Sequence, residues 1–285
     1  MGANPWLDRR ILNYAHQGGA REAPSSTLFA LRQAVAEGAD ALELDVHATA
    51  DGVVVVCHDA TVDRTTASTG AIADMTYGEL RQLDNAYWWV PGEVVATDRA
   101  ADEYVHRGKA PEDAAFGIAS LRDVLIECPD VFLNLDIKQT APAVAPYEHL
   151  VAELLREFGR ADDVIVASFD DRATDAFGAL APEISTSCGT VMTAAIWQAV
   201  QDDKPLPETR HHALQVPAAL GETTVVDARF VGRAHEHGLA VHVWTIDEPD
   251  EMERLVDLGV DGVMTDRPSV LEAILQRRGV AYARS

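Results

Sequence analysis

At 285 residues, with 46 acidic against 23 basic side chains and a formal net charge of −23, the chain is long enough for one large barrel-type domain. It is too acidic to offer the basic surface that nucleic acid or an anionic membrane demands. Its composition is that of a soluble globular protein, and no apolar run approaches the roughly 18–20 residues that span a bilayer.

The opening MGANPWLDRR has no apolar stretch behind its charges and does not read as a signal peptide. Cys57, Cys128 and Cys188 form no metal-ligand spacing; an odd count without a secretion signal predicts reduced thiols in a cytoplasmic protein. The first strand, YAH, ends at His16. Pro24-Ser25-Ser26 leads into TLFALRQAVAEG, where Leu28, Leu31 and Val35 form an apolar stripe, a serine is the expected N-cap, and Gly38 stops the helix. The second strand is ALELDV. Its acids, Glu43 and Asp45, lie two residues apart, so the strand period puts them on one face while Leu42, Leu44 and Val46 take the other. Adjacent carboxylates repel, and a hard divalent cation with oxygen ligands removes that repulsion. Val53–Cys57 is a short strand running to His58, so two potential proton-transfer histidines bracket the acid pair. A turn and a short helix follow in ADMTYGELRQLDN.

Periodicity lapses from Ala86 to Gly117. This stretch is highly charged and carries three adjacent aromatics, Tyr87, Trp88 and Trp89; it predicts a long excursion from the core. Trp88 and Trp89 are candidates for a lid over the site, with an oligomer contact as the alternative. LRDVLIECP then reads as a helix and VFLNLDIK as a buried strand, with Asp136 and Lys138 two residues apart on one face. Strands VIVASF, ISTSCG, ALQVP, AVHVWTI and GVMTD alternate with helices RATDAFGALAP, TAAIWQAVQDD, DARFVGRAHEHG, EPDEMERLVDLG and SVLEAILQRRG. Eight strands alternating with helices predict an α/β fold, a (β/α)8 TIM barrel forming a single domain over 1–285, with the excursion at about 86–117 between the second and third barrel strands. His16, Glu43, Asp45, Asp136, Lys138, Ser168, Gln215, Trp244 and Asp266 fall at strand ends and converge on the C-terminal mouth.

His16-Gln17-Gly18, Gly38-Ala39-Asp40, Glu43, Asp45, Thr49-Ala50-Asp51-Gly52, His58-Asp59 and Arg64-Thr65-Thr66 occur in an order and spacing that resembles the glycerophosphodiester phosphodiesterase family. The likeness spans nearly the whole chain and is densest at 12–66, 118–138 and 240–268. It implies metal-dependent hydrolysis of a glycerophosphodiester to sn-glycerol 3-phosphate and an alcohol. His16 and His58 would be the acid–base pair, His58 serving the departing alcohol and His16 the nucleophile, an order the sequence leaves open. Glu43, Asp45 and Asp136 would hold Mg²⁺ or Ca²⁺. Lys138 would neutralise phosphoryl charge, Gln17 would hydrogen-bond the phosphate, and Trp244 would line the pocket. The expected partner is a small-molecule phosphodiester, with no nucleic acid and no stable membrane association; an oligomer is possible but not readable.

Three positions depart from the family pattern. Gln17 replaces an arginine that would clamp phosphate bidentately; Ser25-Ser26-Thr27 replaces Glu-Asn-Thr; Asp136 replaces a glutamate one methylene longer. They keep two alternatives in view: a lysophospholipase D- or sphingomyelinase D-like phosphodiesterase, and a non-catalytic barrel that binds a phosphate ligand. Asp266 matches the family's closing motif and reads as structural, and the histidines beyond His16, His47 and His58 read as surface or satisfied partly buried groups.

Overall fold

The computed structural model describes residues 4–7 and 11–280, so part of the charged start lies outside it. The strands in chain order are β1 (Leu12–His16), β2 (Ala41–Ala48), β3 (Val54–Val56), β4 (Phe132–Ile137), β5 (Val164–Ala167), β6 (Ser185–Thr186), β7 (Ala213–Pro217), β8 (Ala219–Leu220), β9 (Thr223–Thr224), β10 (Ala240–Trp244) and β11 (Gly262–Thr265). Eight run parallel in the order β6-β5-β4-β2-β1-β11-β10-β7, with β3 antiparallel along β2 and β8 paired with β9 in a hairpin. The ends of the sheet meet. Ser187 bridges Ala213 in parallel, His212 N–H donates to the Thr186 carbonyl (2.8 Å), and Cys188 N–H donates to that of Ala213 (2.9 Å). Backbone hydrogen bonds thus close the predicted (β/α)8 barrel, and among the described residues its eight parallel strands leave no long open edge.

Helices α1 (Leu28–Ala36), α2 (Tyr77–Leu80), α3 (Leu121–Glu127), α4 (Glu148–Glu157), α5 (Asp171–Leu180), α6 (Thr190–Gln201), α7 (Ala228–Glu236), α8 (Pro249–Leu258) and α9 (Pro268–Arg277) accompany the strands. None among the described residues is long and apolar enough to cross a membrane. The N-cap of α1 is Thr27, not a serine: Thr27 is extended (φ −103°) and its hydroxyl accepts from Ala30 N–H, whereas Ser26 is left-handed (φ 59°). The outward row of β2, Leu42, Leu44 and Val46, shares one buried cluster with Leu31 of α1 and Val124 of α3. A second cluster joins β7 and β10 to α7, α8 and α9 around Phe230, Val241, Leu255 and Leu271. At roughly 1.5–3 kcal/mol for each large apolar side chain taken from water, these layers hold the strands in place and leave their inward rows for other work.

The excursion between β2 and β4 buttresses the loop after β1. Trp89 Nε1–H donates to the Ala20 carbonyl (2.9 Å), Trp88 Nε1–H to that of Thr66 (2.8 Å), and Gly92 N–H to that of Arg21 (2.9 Å). The Arg107 guanidinium lies over the rings of Tyr87, Trp88 and Tyr104 at 4.3, 4.7 and 3.4 Å, so the insert carries its own small aromatic core.

Trp6, Leu12, Tyr14, Ile165 and Met264 belong to a further apolar cluster, in the barrel interior. Gly262 makes room there, since a Cβ would lie 2.7 Å from the Tyr14 ring and 3.0 Å from His242. His242, expected to be a surface or satisfied group, is neither. It is wholly buried against Tyr14 and Trp6, and neither ring nitrogen has a hydrogen-bond partner among the described residues. Burial pushes its pKa down from 6.5 to about 3, because nothing compensates an imidazolium there. Between those values the unfolded chain binds the extra proton, so stability falls as pH falls below about 6.5. His242→Leu is expected to flatten this acid limb, which costs the parent up to roughly a factor of ten in folding constant per pH unit. Denaturant midpoints from neutral pH down to about pH 5 check it, and parallel curves for the two proteins would refute it.

Candidate active site

Strand register builds the site. His16 of β1 pairs in register with Glu43 of β2, Glu43 with Asn134 of β4, and Asp45 with Asp136. Neighbours in register on parallel strands point to the same face, so these five side chains form two adjacent rows inside the barrel mouth. They line a cavity of about 670 Å³ together with His58, Lys138, Ser168, Gln215 and Trp244. Nearly every strand-end residue expected at the mouth is thus brought into one site.

The carboxylates are buried and short of positive charge. The Lys138 ammonium lies 3.0 Å from Asp45 Oδ1 and 3.3 Å from Asp136 Oδ2. Glu43 Oε2, Asp45 Oδ2 and Asp136 Oδ1 are buried with no hydrogen-bond partner among the described residues. Burial, reinforced by the charge of Asp45, pushes Glu43 up to about 8; burial also lifts Asp136 to about 6 despite the nearby lysine. Burial opposes the charge of Lys138, but Asp45 and Asp136 outweigh it and hold the ammonium well above its usual range. Three hard, under-satisfied oxygen donors fit a divalent cation in their chemistry. Among the described residues they are not yet gathered into a ready-made metal cluster, and the Lys138 ammonium reaches both Asp45 and Asp136. The lysine holds Asp45 Oδ1 and Asp136 Oδ2, which leaves Asp45 Oδ2, Asp136 Oδ1 and Glu43 Oε2 as the oxygens that would face a cation.

Both histidines are oriented by an aspartate. His16 Nδ1–H donates to Asp266 Oδ1 (2.6 Å), and His58 Nδ1–H to Asp59 Oδ1 (2.6 Å). Asp59 is fixed in turn by Arg64 Nε–H (2.7 Å). Each Nε2 is then turned away from its aspartate; that of His16 lies 3.8 Å from Glu43 Oε2. Burial opposes protonation of His16, yet the hydrogen bond it donates to Asp266 and the charges of Glu43 and Asp45 prevail and raise it from 6.5 to about 9. Asp266, read as structural, is instead the partner that orients His16. His47 Nε2–H donates to the carbonyl of His58 (3.3 Å) and so supports that loop.

Two expected contacts are not made. Gln17 does not line the cavity: its left-handed backbone (φ 52°) tucks the buried side chain beside His16, with its amide nitrogen 3.3 Å from Nε2, so it touches the imidazole where a phosphate contact was expected. Trp88 and Trp89 do not line the cavity either; their indoles donate to the Thr66 and Ala20 carbonyls, as a buttress would. Other wall residues were not anticipated. Asn134 is one: its Oδ1 accepts from Nε2–H of the expected Gln215 (2.5 Å), linking β4 to β7. The β8–β9 hairpin and one face of α6 also contribute. The α6 face was signalled by apolar and small residues at helical spacing, the hairpin by little beyond Gly221.

The model of the glycerophosphoryl diester phosphodiesterase family matches residues 16–270. A glycerophosphodiester phosphodiesterase of Caldanaerobacter subterraneus subsp. tengcongensis is 29% identical over 278 residues, 95% of this chain and 100% of that protein. The glycerophosphodiester phosphodiesterase structure from Agrobacterium tumefaciens superposes with a TM-score of 0.67 at 24% identity, covering 93% of this chain and 99% of the other. An Oleispira antarctica phosphodiesterase solved with the product sn-glycerol-3-phosphate superposes with a TM-score of 0.74 at 22% identity, covering 95% and 99%. Both neighbours share the barrel.

In chelator-treated protein His16 is expected to titrate near pH 9. Asp266→Asn should bring that value down, since the hydrogen bond accepted by the carboxylate is the largest influence raising it. Imidazole NMR titration reads this directly, and an unmoved pKa would remove Asp266 from its orienting role.

Proposed function

Because the chain belongs to the glycerophosphoryl diester phosphodiesterase family and is a phosphodiester hydrolase, we propose that it cleaves glycerophosphodiesters to sn-glycerol 3-phosphate and an alcohol, with His16 and His58 moving the protons. The observation that carries this reading is the pair of imidazoles, each fixed at Nδ1 by its own aspartate and both lining the cavity of the buried acids. A barrel that merely bound phosphate would have no use for two oriented proton carriers.

Glu43, Asp45 and Asp136 would hold Mg²⁺ or Ca²⁺, and that ion would polarise the phosphoryl group and balance the acids' charge. His16 withdraws at Nε2 the proton of the attacking oxygen, either a water that cleaves the diester directly or the vicinal glycerol hydroxyl, whose cyclic phosphate a water then opens, and is steadied as an imidazolium by Asp266. This role needs the negative field of Glu43 and Asp45 offset, because that field keeps the His16 proton in place. His58 delivers a proton from Nε2 to the departing alcohol oxygen, with Asp59 and Arg64 holding its ring. Lys138 places a compact cation near the phosphoryl oxygens. Trp244 and Phe169, in edge-to-face contact at 5.5 Å, wall the site.

We place the reaction in the cytoplasm on a small-molecule substrate. The net charge of −23 disfavours polyanionic partners. Cys57, Cys128 and Cys188 are buried, and burial lifts the thiols of Cys57 and Cys188 to about 12, consistent with inert reduced cysteines.

Turnover of glycerophosphocholine is expected to vanish with chelator and return with Mg²⁺ or Ca²⁺. His16→Ala and His58→Ala should each lower kcat by roughly 10²–10⁴-fold, the usual worth of a general acid or base. Chelator-resistant turnover would refute the ion; full activity in both variants would refute the proton-transfer pair.

A further inference from the structure

The cavity has two chemically different ends. His16, Glu43, Asp45, Asp136 and Lys138 crowd the side built by β1, β2 and β4. The opposite side carries no charged side chain among the described lining residues, and three separate pieces of chain build it: Phe169 after β5, one face of α6, and the β8–β9 hairpin. On α6 the lining residues Thr190, Thr193, Ala194 and Trp197 fall at i, i+3, i+4 and i+7, which is a single helix face. Ile196 and Val200 of the same helix point into the core, so α6 is apolar on two sides for two reasons. The hairpin is exposed along all four of its strand residues, yet Leu220 and Thr223 reach the cavity wall.

The large apolar side chains left exposed among the described residues are Val105, Ile126, Phe169, Leu180, Val191 and Leu220, and half of them belong to this rim. Phe169 and Leu220 line the cavity at 59% and 66% exposure, and Val191, at 74%, follows the lining residue Thr190. Such a concentration of bare apolar surface marks a binding site. A volume of about 670 Å³ falls within the roughly 300–1,000 Å³ of drug-sized ligand pockets and leaves room beyond a glycerophosphate at the charged end.

We propose that the space between α6 and the β8–β9 hairpin is a subsite for one aliphatic chain of the substrate. The preferred diester is then an amphiphile, with its phosphate at the acids and its chain against Trp197, Leu220 and Val225. This rests on the hydrolase reading above. The chain arrives on a dispersed molecule, because a protein of net charge −23 has no electrostatic hold on an anionic bilayer.

Three substrates below their micelle concentrations test it: sn-glycero-3-phosphocholine without a chain, sn-glycero-3-phospho-n-octanol with the chain on the alcohol, and 1-octanoyl-sn-glycero-3-phosphocholine with it on the glycerol. At roughly fourfold per methylene that reaches the wall, one chained substrate should show a KM at least about tenfold lower, and which one does so identifies the arm. Trp197→Ala and Leu220→Ser should bring the chained-to-unchained ratio of kcat/KM to within about twofold of one. Calorimetric titration of n-octyl phosphate against glycerol 3-phosphate gives a second reading that needs no turnover. Equal KM values with equal binding would overturn the subsite. Chain-selective binding that both substitutions abolish, in a protein that hydrolyses none of the three diesters, would keep the subsite and refute the hydrolase reading.

Discussion

Three buried carboxylates share one ammonium at the mouth of this barrel, and most of the site's behaviour follows from that imbalance. Lys138 reaches Asp45 and Asp136 but makes no hydrogen bond or close ion pair with Glu43 in the structure. Each acid keeps an oxygen with no hydrogen-bond partner among the described residues, where an unmatched buried acceptor costs roughly 1–3 kcal/mol and a charged one more. Glu43 and Asp136 respond by holding protons more tightly, and His16 by becoming an imidazolium. No arrangement of this kind would persist for stability alone, since apolar residues of similar size would be as good or better there. In the proposed reaction a bound cation would offset that imbalance, and the imidazoles beside it would carry the protons.

The barrel makes the strain tolerable by keeping backbone and site separate. Leu42, Leu44 and Val46 anchor β2 to the helices, so Glu43 and Asp45 are pinned by residues that take no part in the chemistry. The same alternation pins Asp136 between Leu135 and Ile137. Beyond the strands, the site relies on hydrogen bonds across long stretches of sequence. Asp266, at the end of β11, reaches His16 at the end of β1, and Asp266 N–H itself donates to Asp247 Oδ1 (2.9 Å). Closing the sheet therefore does more than remove edges; it brings the last strand beside the first and completes an oriented imidazole.

What the sequence disclosed divides along the same line. His16, Glu43, Asp45, Asp136, Lys138 and Trp244 were legible because strand period and order are local properties, and the structure brings all six to one cavity. The eight barrel strands were legible for the same reason. The partnership of Asp266 with His16 was not, since 250 residues separate them and only closure joins them. The partners of Trp88 and Trp89 were not legible, because aromatic clustering in a polar insert signals burial without saying against what; here Arg107 and the Ala20 and Thr66 carbonyls meet those rings. Helix α4 went unread although Val151 and Leu155 carry an i, i+4 apolar pair, because the proline-broken run before it reads as loop. Gln17 was placed at the phosphate because it stands where the family carries arginine, and with its backbone at φ 52° its amide lies against His16.

The division of the cavity has a structural logic of its own. Its charged side chains come from β1, β2 and β4 and the loop after β3, where cross-strand register fixes each donor against the next. Its apolar wall comes from the segments after β5, β6 and β7, whose connections leave the barrel as helix and hairpin and share no register with the acids. Phe169 stands at the boundary, with the Lys138 ammonium 5.7 Å from its ring on one side and Trp244 on the other. Substitutions in α6 or the hairpin can reshape the wall without moving Glu43, Asp45 or Asp136, whereas a one-residue slip in β2 would turn both of its acids into the helix layer. Reaction type is therefore locked into the hydrogen-bonding of adjacent strands, and choice of substrate is delegated to loops that tolerate change.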